Sequence, residues 1–129
     1  MRKFRFSKLV RDKIVEDIIS NSGTPRWKTL SGREYIQELK KKLVEEGLEL
    51  LDARDRETPE ELADIQEIID NLLEALGITK ERFAEIQNKK NGKRGSFKKR
   101  QYIDVVEVKD GAEVIKFYLD HPEKYPEVK

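Results

Sequence analysis

Apolar residues recur every three or four positions through the middle of the chain, which is the spacing of an amphipathic α-helix. The first such stretch predicts a helix from Gly32 to about Arg54, and the second predicts one from Pro59 to Leu76. The turn between them, Ala53–Thr58, is short enough to make the helices antiparallel neighbours. Their expected inner faces are Ile36, Leu39, Leu43, Gly47, Leu50 and Leu51, and Leu62, Ile65, Ile68, Ile69, Leu72 and Leu76.

Shorter elements are predicted on both sides of this hairpin. Lys8–Ser20 has the pattern of a helix, Thr79 begins another that runs to about Lys90, and Asp110 begins a last one. Tyr102–Val108 has the composition of a short strand. The expected fold is therefore all-α, a helical bundle built on the central antiparallel hairpin. We expect at most a minor β pairing between the 102–108 segment and Lys3–Phe6.

Charge and composition narrow the class of protein without naming a partner. Of 129 residues 41% are charged, but 27 Lys and Arg nearly balance 26 Asp and Glu, so the net charge is only +1. That balance gives the chain no general attraction to nucleic acid or to membranes. The sequence shows no signal peptide and no apolar run long enough to span a bilayer. We expect one soluble, cytoplasmic domain over residues 1–129.

Four carboxylates of the hairpin differ from the other acids in their position on the helical wheel. Acid pairs three positions apart are common in a chain with 26 Asp and Glu, so spacing alone shows nothing. At about 100° per residue, Glu46 falls in the apolar stripe of the first helix and Glu49 at its edge. Glu61 falls in the stripe of the second helix, with Asp64 at its edge. Acids such as Glu45 face solvent instead.

A carboxylate beside an apolar core is destabilising unless a cation or hydrogen-bond donors compensate its charge. Side chains three apart on a helix are neighbours, with Cβ atoms ~5–6 Å apart, so each acid pair can converge on one ion. Oxygen ligands favour Mg²⁺ or Mn²⁺ over zinc, and the chain has no Cys and one His. Two structural alternatives stay open: Glu61 in a capping box with Thr58, and lysine partners for Glu46 and Glu49.

Basic residues are concentrated in residues 89–100, where seven of twelve are Lys or Arg. Two glycines predict a loop there, whose backbone amides can face an anion. The segment suits a phosphate clamp, or contact with single-stranded nucleic acid in which Phe97 stacks on a base. A solvated loop has the same composition, so the sequence leaves these alternatives open.

Three segments, in this order and spacing, resemble a known family. They are Lys8-Leu9-Val10-Arg11-Asp12-Lys13-Ile14, then Glu45-Glu46-Gly47-Leu48-Glu49 with Glu61-Leu62-Ala63-Asp64, and then Arg94-Gly95-Ser96-Phe97 with Lys98 to Arg100. Over residues 4–104 the chain resembles the MazG-like superfamily of all-α nucleoside triphosphate pyrophosphohydrolases. The likeness is greatest to its house-cleaning or phosphoribosyl-ATP pyrophosphohydrolase-like branch. The chain departs from the family pattern at Val15, where Pro is frequent, and at Gly47, where Ala is common.

The resemblance implies an Mg²⁺- or Mn²⁺-dependent enzyme that cleaves a nucleoside triphosphate between its α- and β-phosphates, releasing the monophosphate and pyrophosphate. It implies metal ligation by Glu46, Glu49, Glu61 and Asp64, and substrate contacts from Lys8, Arg11, Lys90, Lys93 and Arg94. Within that mechanism we expect Glu49 to orient the attacking water. We expect Asn71, on the same helix edge as Asp64, to contact the sugar or base.

Other functions remain compatible with the sequence. The substrate is either a non-canonical nucleotide, removed as house-cleaning, or phosphoribosyl-ATP of histidine biosynthesis. A non-enzymatic helical module that binds nucleic acid through residues 89–100 is a second class, and a dimeric scaffold with structural acids is a third. We also expect a homodimer or higher homo-oligomer, because the apolar arc of the second helix is wider than one partner helix can cover.

Overall fold

The computed structural model describes all residues, Met1–Lys129, and contains five α-helices and no β-strand. The helices are α1 (Ile14–Ser20), α2 (Gly32–Asp52), α3 (Thr58–Ala75), α4 (Lys80–Arg94) and α5 (Val114–Leu119). The all-α prediction is therefore confirmed. The chain divides into two compact units, Met1–Lys93 and Arg94–Lys129. None of the five helices combines the length and the apolar character that a membrane span requires.

α2 and α3 form the antiparallel hairpin that the sequence predicts, and they are the only helices with an extensive mutual contact. Its core consists of Leu39 from α2 and of Ile68 and Leu73 from α3. These side chains belong to stripes that recur every three or four residues, so each helix turns one apolar face towards the other. Burying each of them contributes about 1.5–3 kcal/mol. The hairpin is therefore the framework of the first unit.

The packed face of α2 is narrower than its apolar pattern predicts. Leu51, predicted to face inward, is 80% exposed. Together with Val44 and Leu48, which are 64% and 61% exposed, it forms a row at positions i, i+4 and i+7. We call these three residues the α2 stripe. At about 100° per residue, the stripe lies on the side of α2 opposite Glu46, because α3 covers only one side of the helix.

Leu62 of α3 and Leu76, the residue that follows α3, are also exposed, although the pattern places both on the inner face. Both lie near the ends of α3, which begins at Thr58 and ends at Ala75. Side chains at the ends of a two-helix hairpin have a neighbouring helix on one side only. The helical period therefore identifies Ile68 correctly, but it omits Leu73, which is buried, and it does not show how far along the helix the face is covered.

The turn into α3 settles one alternative for Glu61. The Thr58 hydroxyl donates a hydrogen bond to the Arg54 carbonyl oxygen at 3.0 Å, and no side chain caps the helix. The Glu61 backbone N–H donates to the Glu57 carbonyl at 3.2 Å instead. The capping-box interpretation of Glu61 is therefore wrong. Its carboxylate is free for another role.

α3 ends as the sequence predicts, at Gly77. This residue has φ +70°, a left-handed conformation that glycine adopts without the steric cost of a Cβ atom. The Gly77 N–H donates to the Glu74 carbonyl at 3.1 Å, and the Ile78 N–H donates to the Leu73 carbonyl at 2.9 Å. These two bonds are those of a Schellman motif, which satisfies the last carbonyls of the helix.

α1 begins at Ile14 and not at Lys8, so the predicted helix Lys8–Ser20 is too long at its start. Residues 8–11 are irregular instead. Lys8 and Arg11 make ion pairs with acids of α2 and α3. Those contacts between distant parts of the chain hold the segment against the hairpin in a conformation that local helical propensity does not predict.

α4 continues to Arg94, so the predicted loop over residues 89–100 is wrong for its first half. Thr79 caps the helix as predicted, since its hydroxyl accepts a hydrogen bond from the Arg82 N–H at 3.1 Å. Helical conformation passes through Gly92, and the chain leaves it at Gly95, which has φ +80°. A single glycine costs a helix only about 1 kcal/mol, which is too little to end it.

The predicted strand Tyr102–Val108 is absent, and so is its pairing with Lys3–Phe6. Neither segment takes part in any backbone–backbone hydrogen bond. The β-branched composition of residues 102–108 favours a strand, but a strand exists only where a second one completes its hydrogen bonds. The chain provides no such partner here.

Candidate metal centre

α2 and α3 bring three of the four predicted metal ligands together. Glu46 of α2 and Glu61 and Asp64 of α3 each offer one carboxylate oxygen, and these oxygens lie within 4.8 Å of one another. Glu61 and Asp64 are three residues apart and share a face of α3. The packing of the hairpin places that face against Glu46. We call Glu46, Glu61 and Asp64 the acidic triad.

The acidic triad lies within the hairpin and is largely withdrawn from solvent. Glu46 is only 8% exposed, and Glu61 and Asp64 are half-buried. The Oε2 atoms of Glu46 and Glu61 are closed off from solvent and have no hydrogen-bond partner. A buried carboxylate oxygen without a partner is destabilising by a few kcal/mol. The arrangement therefore requires a proton or a cation.

The pKa of the Glu46 carboxyl group reflects the same unfavourable burial of charge. Burial, and after it the adjacent carboxyl groups of Glu49, Glu61 and Asp64, together raise the pKa of its carboxyl group from the usual 4.5 to about 7. Without a cation, Glu46 is therefore mostly protonated below about pH 7. A divalent ion bound here would replace that proton, because a metal ligand must be deprotonated.

Glu49, the fourth predicted ligand, lies at the rim of the cluster. It follows Glu46 by three residues on α2 and is exposed, and it is not among the three acids whose oxygens converge. It is near enough to Glu46 to raise the pKa of that residue. An exposed carboxylate beside a buried triad contacts both solvent and the cluster. This position suits a group that binds a water molecule better than a fully enclosed ligand.

The residues of the triad fit a hard divalent cation. All three donors are carboxylate oxygens, the ligand type that Mg²⁺ and Mn²⁺ prefer. The two partnerless oxygens supply lone pairs that no protein donor uses. Mg²⁺ retains several waters in such sites, so three protein oxygens are sufficient. The triad can therefore hold a metal ion.

Lysine partners do not account for these acids. The Lys42 Nζ lies 3.8 Å from the Glu46 Oε1, close to the limit for an ion pair, and 3.6 Å from the Glu45 Oε2. Its charge is shared between two carboxylates, and the Glu46 Oε2 keeps no partner. Glu49 makes no ion pair with any basic residue. Lysine pairing therefore compensates Glu46 only in part.

The irregular segment before α1 brings two predicted substrate contacts to the acids. The Arg11 Nη2 donates a hydrogen bond to the Asp64 Oδ1 at 2.6 Å, and the Lys8 Nζ donates to the Glu45 Oε1 at 3.3 Å. Arg11 is therefore in direct contact with the triad and is more than half exposed. A guanidinium group has five N–H donors. Most of those of Arg11 are free to bind an anion beside the acids.

Glu45 is a residue that sequence reasoning placed wrongly. The wheel directs it to solvent, yet it is half-buried and contacts both Lys8 and Lys42. Partial burial alone raises the pKa of its carboxyl group, but the hydrogen bond from Lys8 and the charge of Lys42 outweigh burial and lower it. Lys42, three residues earlier on α2, was the available signal, because such pairs are neighbours on a helix.

Asn71 lies further along α3, beside a cavity of about 310 Å³ that Tyr35 and Ile36 of α2 help to line. Its amide donates hydrogen bonds to the backbone and side-chain oxygens of Glu67 at 2.8 and 2.7 Å. The Tyr35 hydroxyl lies 3.5 Å from its side-chain oxygen. Burial raises the pKa of the Tyr35 phenol, and nearby acids raise it further. Tyr35 was not among the predicted site residues, since nothing in the sequence pairs it with Asn71.

The remaining predicted contacts lie on the last turns of α4. Lys90, Lys93 and Arg94 are exposed there. None of the three makes an ion pair. The structure brings Lys8 and Arg11 to the acids of the hairpin, and it shows no contact between Lys90 or Lys93 and those acids. The role of the α4 residues in substrate binding stays a prediction.

Comparisons with family models, with curated proteins and with solved structures find no match to this chain. The geometry of the acids and the resemblance in the motifs are therefore the grounds for a functional conclusion.

The first testable prediction concerns metal binding. We expect Mg²⁺ or Mn²⁺ to raise the melting temperature, because the ion compensates the buried charge of the triad. At ten times the dissociation constant the stabilisation is about 1.4 kcal/mol, a shift on the order of 5 °C. Calorimetry of wild type and Glu61→Gln with and without Mg²⁺ measures it, and the variant is expected to lose the shift. Glu60→Gln, on an exposed neighbour, is the matched control. Equal shifts in wild type and Glu61→Gln would contradict the site.

The second prediction is the pH dependence of the metal-free protein. The raised pKa of Glu46, about 7 against a usual 4.5, means that the folded state binds more protons than the unfolded state between these values. The contribution of Glu46 to the free energy of unfolding is therefore fully present below about pH 4.5 and is lost as pH rises to about 7. Urea unfolding in chelator across this range should show a smaller fall for Glu46→Gln than for wild type. Parallel curves would show that Glu46 ionises normally.

Proposed function

We propose that this protein is a metal-dependent nucleotide pyrophosphohydrolase, which cleaves the α–β phosphoanhydride bond of a nucleoside triphosphate to give the monophosphate and pyrophosphate. The observation that carries the proposal is the acidic triad, with two buried oxygens that lack partners. Arg11 lies in contact with it, and Lys8 is anchored on the neighbouring Glu45. Carboxylates that accept a cation, next to cations that accept phosphate, are the components that phosphoryl transfer requires.

The resemblance to MazG-like pyrophosphohydrolases supports the same activity. Its first and second motifs, around Lys8 and Arg11 and around the four acids, lie far apart in the sequence. The Arg11–Asp64 hydrogen bond joins them across the structure. Two motifs of a phosphate-processing family in direct contact are expected of an active site.

Binding of the substrate would involve both sets of residues. Glu46, Glu61 and Asp64 would hold the metal. When bound, a divalent cation neutralises phosphate charge and polarises the attacking water. Arg11 keeps Asp64 oriented through one N–H group and donates others to phosphate oxygens. Lys8, at 3.3 Å from Glu45, supplies a second positive charge for the departing pyrophosphate.

Glu49 has the position for the proton transfer. In the proposed reaction the water oxygen forms a bond to the α-phosphorus, and the bond from that phosphorus to the bridging oxygen of the β-phosphate breaks. The water must lose a proton as this occurs. Glu49 is exposed and adjacent to Glu46, so its carboxylate can orient the water and accept that proton. The pyrophosphate leaves with the bridging oxygen.

The biological substrate within this class is proposed to be a non-canonical nucleotide, whose removal is a house-cleaning activity. Phosphoribosyl-ATP contains the same anhydride and is the alternative substrate. The cavity beside Asn71 and Tyr35 is lined by residues of both hairpin helices, as a site for a sugar or base would be. Its polar lining, Asn71 and Glu74, favours a ligand that offers hydrogen-bond donors.

We also propose that the first unit associates with a second copy through the α2 stripe. Val44, Leu48 and Leu51 form a continuous apolar row that nothing in the first unit covers, and only three apolar side chains, Leu39, Ile68 and Leu73, are buried. Such a row is typical of a helix–helix interface. Because the stripe lies on the side of α2 away from Glu46, a second copy can cover it without closing the acidic site.

The third prediction tests the activity. Purified protein with Mg²⁺ or Mn²⁺ is expected to release pyrophosphate from at least one nucleotide in a panel of canonical and modified triphosphates and phosphoribosyl-ATP. Glu61→Gln and Asp64→Asn should lose at least about a hundredfold in rate, since each removes a metal ligand. Glu49→Gln should lose kcat but keep the Mg²⁺-dependent rise in melting temperature. Glu60→Gln is the matched control.

Absence of pyrophosphate release from every compound, by folded protein that still binds Mg²⁺, would overturn the enzymatic proposal. Binding of single-stranded nucleic acid with a steep salt dependence, unaffected by Glu61→Gln, would favour the nucleic-acid-binding module instead.

The fourth prediction tests the α2 stripe. Leu48→Arg places a charge in the centre of the proposed interface, where burial without a partner is costly. The mass of the assembly, measured by sedimentation at micromolar concentration, is expected to halve. Ile19→Arg changes an exposed apolar residue of α1 in the same way and is expected to leave the mass unchanged. An unchanged mass in Leu48→Arg would exclude the stripe as an interface.

A further inference from the structure

The second unit contains a segment with the composition of a strand and no partner. Residues 101–109 adopt no helix, strand or turn, and residues 101–108 make no backbone–backbone hydrogen bond. Ile103, Val105, Val106 and Val108 are β-branched, the type enriched in strands. We call residues 101–109 the unpaired segment. An exposed row of free N–H and C=O groups on such a sequence is a template for pairing with another chain.

The side chains of the unpaired segment are exposed as well as its backbone. Tyr102 is 91% exposed and Ile103 is 73% exposed, while Val105 and Val106 are each more than half exposed. Contiguous exposed apolar residues mark interaction sites in soluble proteins. The flanking charges are asymmetric, since Lys98, Lys99 and Arg100 precede the segment and Asp110 follows it.

We propose that the unpaired segment forms an antiparallel β-pair with the same segment of a second copy of this chain, with Val105 on the two-fold axis. In this register Tyr102 of one copy lies opposite Val108 of the other. Just beyond the two ends of the segment, Arg100, which has φ +56°, and Asp110, which lies in a turn, bring opposite charges next to each other. An opposite-charge pair and an aromatic pair with a β-branched residue each stabilise adjacent strands. The two-fold axis produces both pairs twice. This association is independent of the proposed catalytic function.

Repulsion between like charges disfavours the other simple ways of pairing the two segments. A parallel pair would place the basic residues 98–100 of the two copies side by side. Shifting the antiparallel register by one residue places Asp104 opposite Glu107 or Arg100 opposite Lys109. Shifting it by two places Asp104 opposite its own copy, or leaves no opposite-charge pair between residues 100 and 110. Like charges directly opposite are destabilising, so the register centred on Val105 is favoured.

α5 supplies the additional packing that an isolated pair of strands needs. Two strands alone are marginal in water, and packing against a helix gives them independent stability. α5 begins at Val114, a few residues after the segment, and its Phe117 and Leu119 are about half exposed. A two-fold axis perpendicular to a β-ribbon keeps both copies of a helix on the same face. The two α5 helices can therefore cover one side of the ribbon together.

The test uses the absence of cysteine in the chain. Val105→Cys places two thiols opposite each other on the axis, with Cβ atoms ~4.5–5.5 Å apart, close to the range that a disulfide accepts. With oxidised glutathione the full-length variant is expected to form a covalent dimer on a non-reducing gel. Ile103→Cys, on the same face but four residues from its own copy, is the matched control. It is expected to cross-link at least about tenfold more slowly, because the two thiols are too far apart.

Charge exchange in the Val105→Cys protein tests the register. Arg100→Glu alone and Asp110→Lys alone each place like charges opposite each other, so cross-linking should slow by about fivefold. The double variant restores opposite charges and should recover the rate of Val105→Cys. Equal rates for Val105→Cys and Ile103→Cys, or no recovery in the double variant, would overturn the proposal. The result would then point to another partner, or none, for the segment.

Discussion

The burial of Glu46 against α3 is the constraint on which the candidate site depends. Leu39, Ile68 and Leu73 hold the two helices together, and the same packing draws a carboxylate out of water and into contact with Glu61 and Asp64. Hydrophobic packing therefore supplies the free energy that keeps acids close together against their mutual repulsion. In the absence of a metal, a proton on Glu46 reduces the repulsion. A divalent cation held by the triad would remove it more completely.

Arg11 extends the same electrostatic balance to the beginning of the chain. Its hydrogen bond to Asp64, at 2.6 Å, partly compensates the charge of the triad and attaches the segment before α1 to the hairpin. Exposed ion pairs contribute little to stability, about 0–1 kcal/mol, so this contact is better understood as positioning than as support of the fold. It keeps a guanidinium group where an anionic ligand of a metal would lie.

Much of this arrangement is predictable from the sequence, because the spacing of apolar residues indicates which face of a helix is buried. The hairpin and the approach of Glu46, Glu61 and Asp64 follow from that signal, and the end of α3 follows from Gly77, since glycine commonly ends helices in a left-handed conformation. Contacts between distant residues are not encoded in a local pattern. For this reason the local pattern places Lys8 and Arg11 in a helix and directs Glu45 to solvent. The predicted strand over residues 102–108 is wrong for a related reason. Composition indicates how readily a segment forms a strand, but not whether a second strand is present to pair with it.

The two sides of α2 have different roles. Glu46 and Leu39 lie on one side, where α3 covers them, and Val44, Leu48 and Leu51 lie on the other, which no other part of the first unit covers. Mutual repulsion among the acids weakens the hairpin, and only three buried apolar side chains oppose it. Association through the α2 stripe would add apolar burial without changing the distances between the acids. A site that must tolerate crowded carboxylates therefore gains from stability supplied at a surface remote from them.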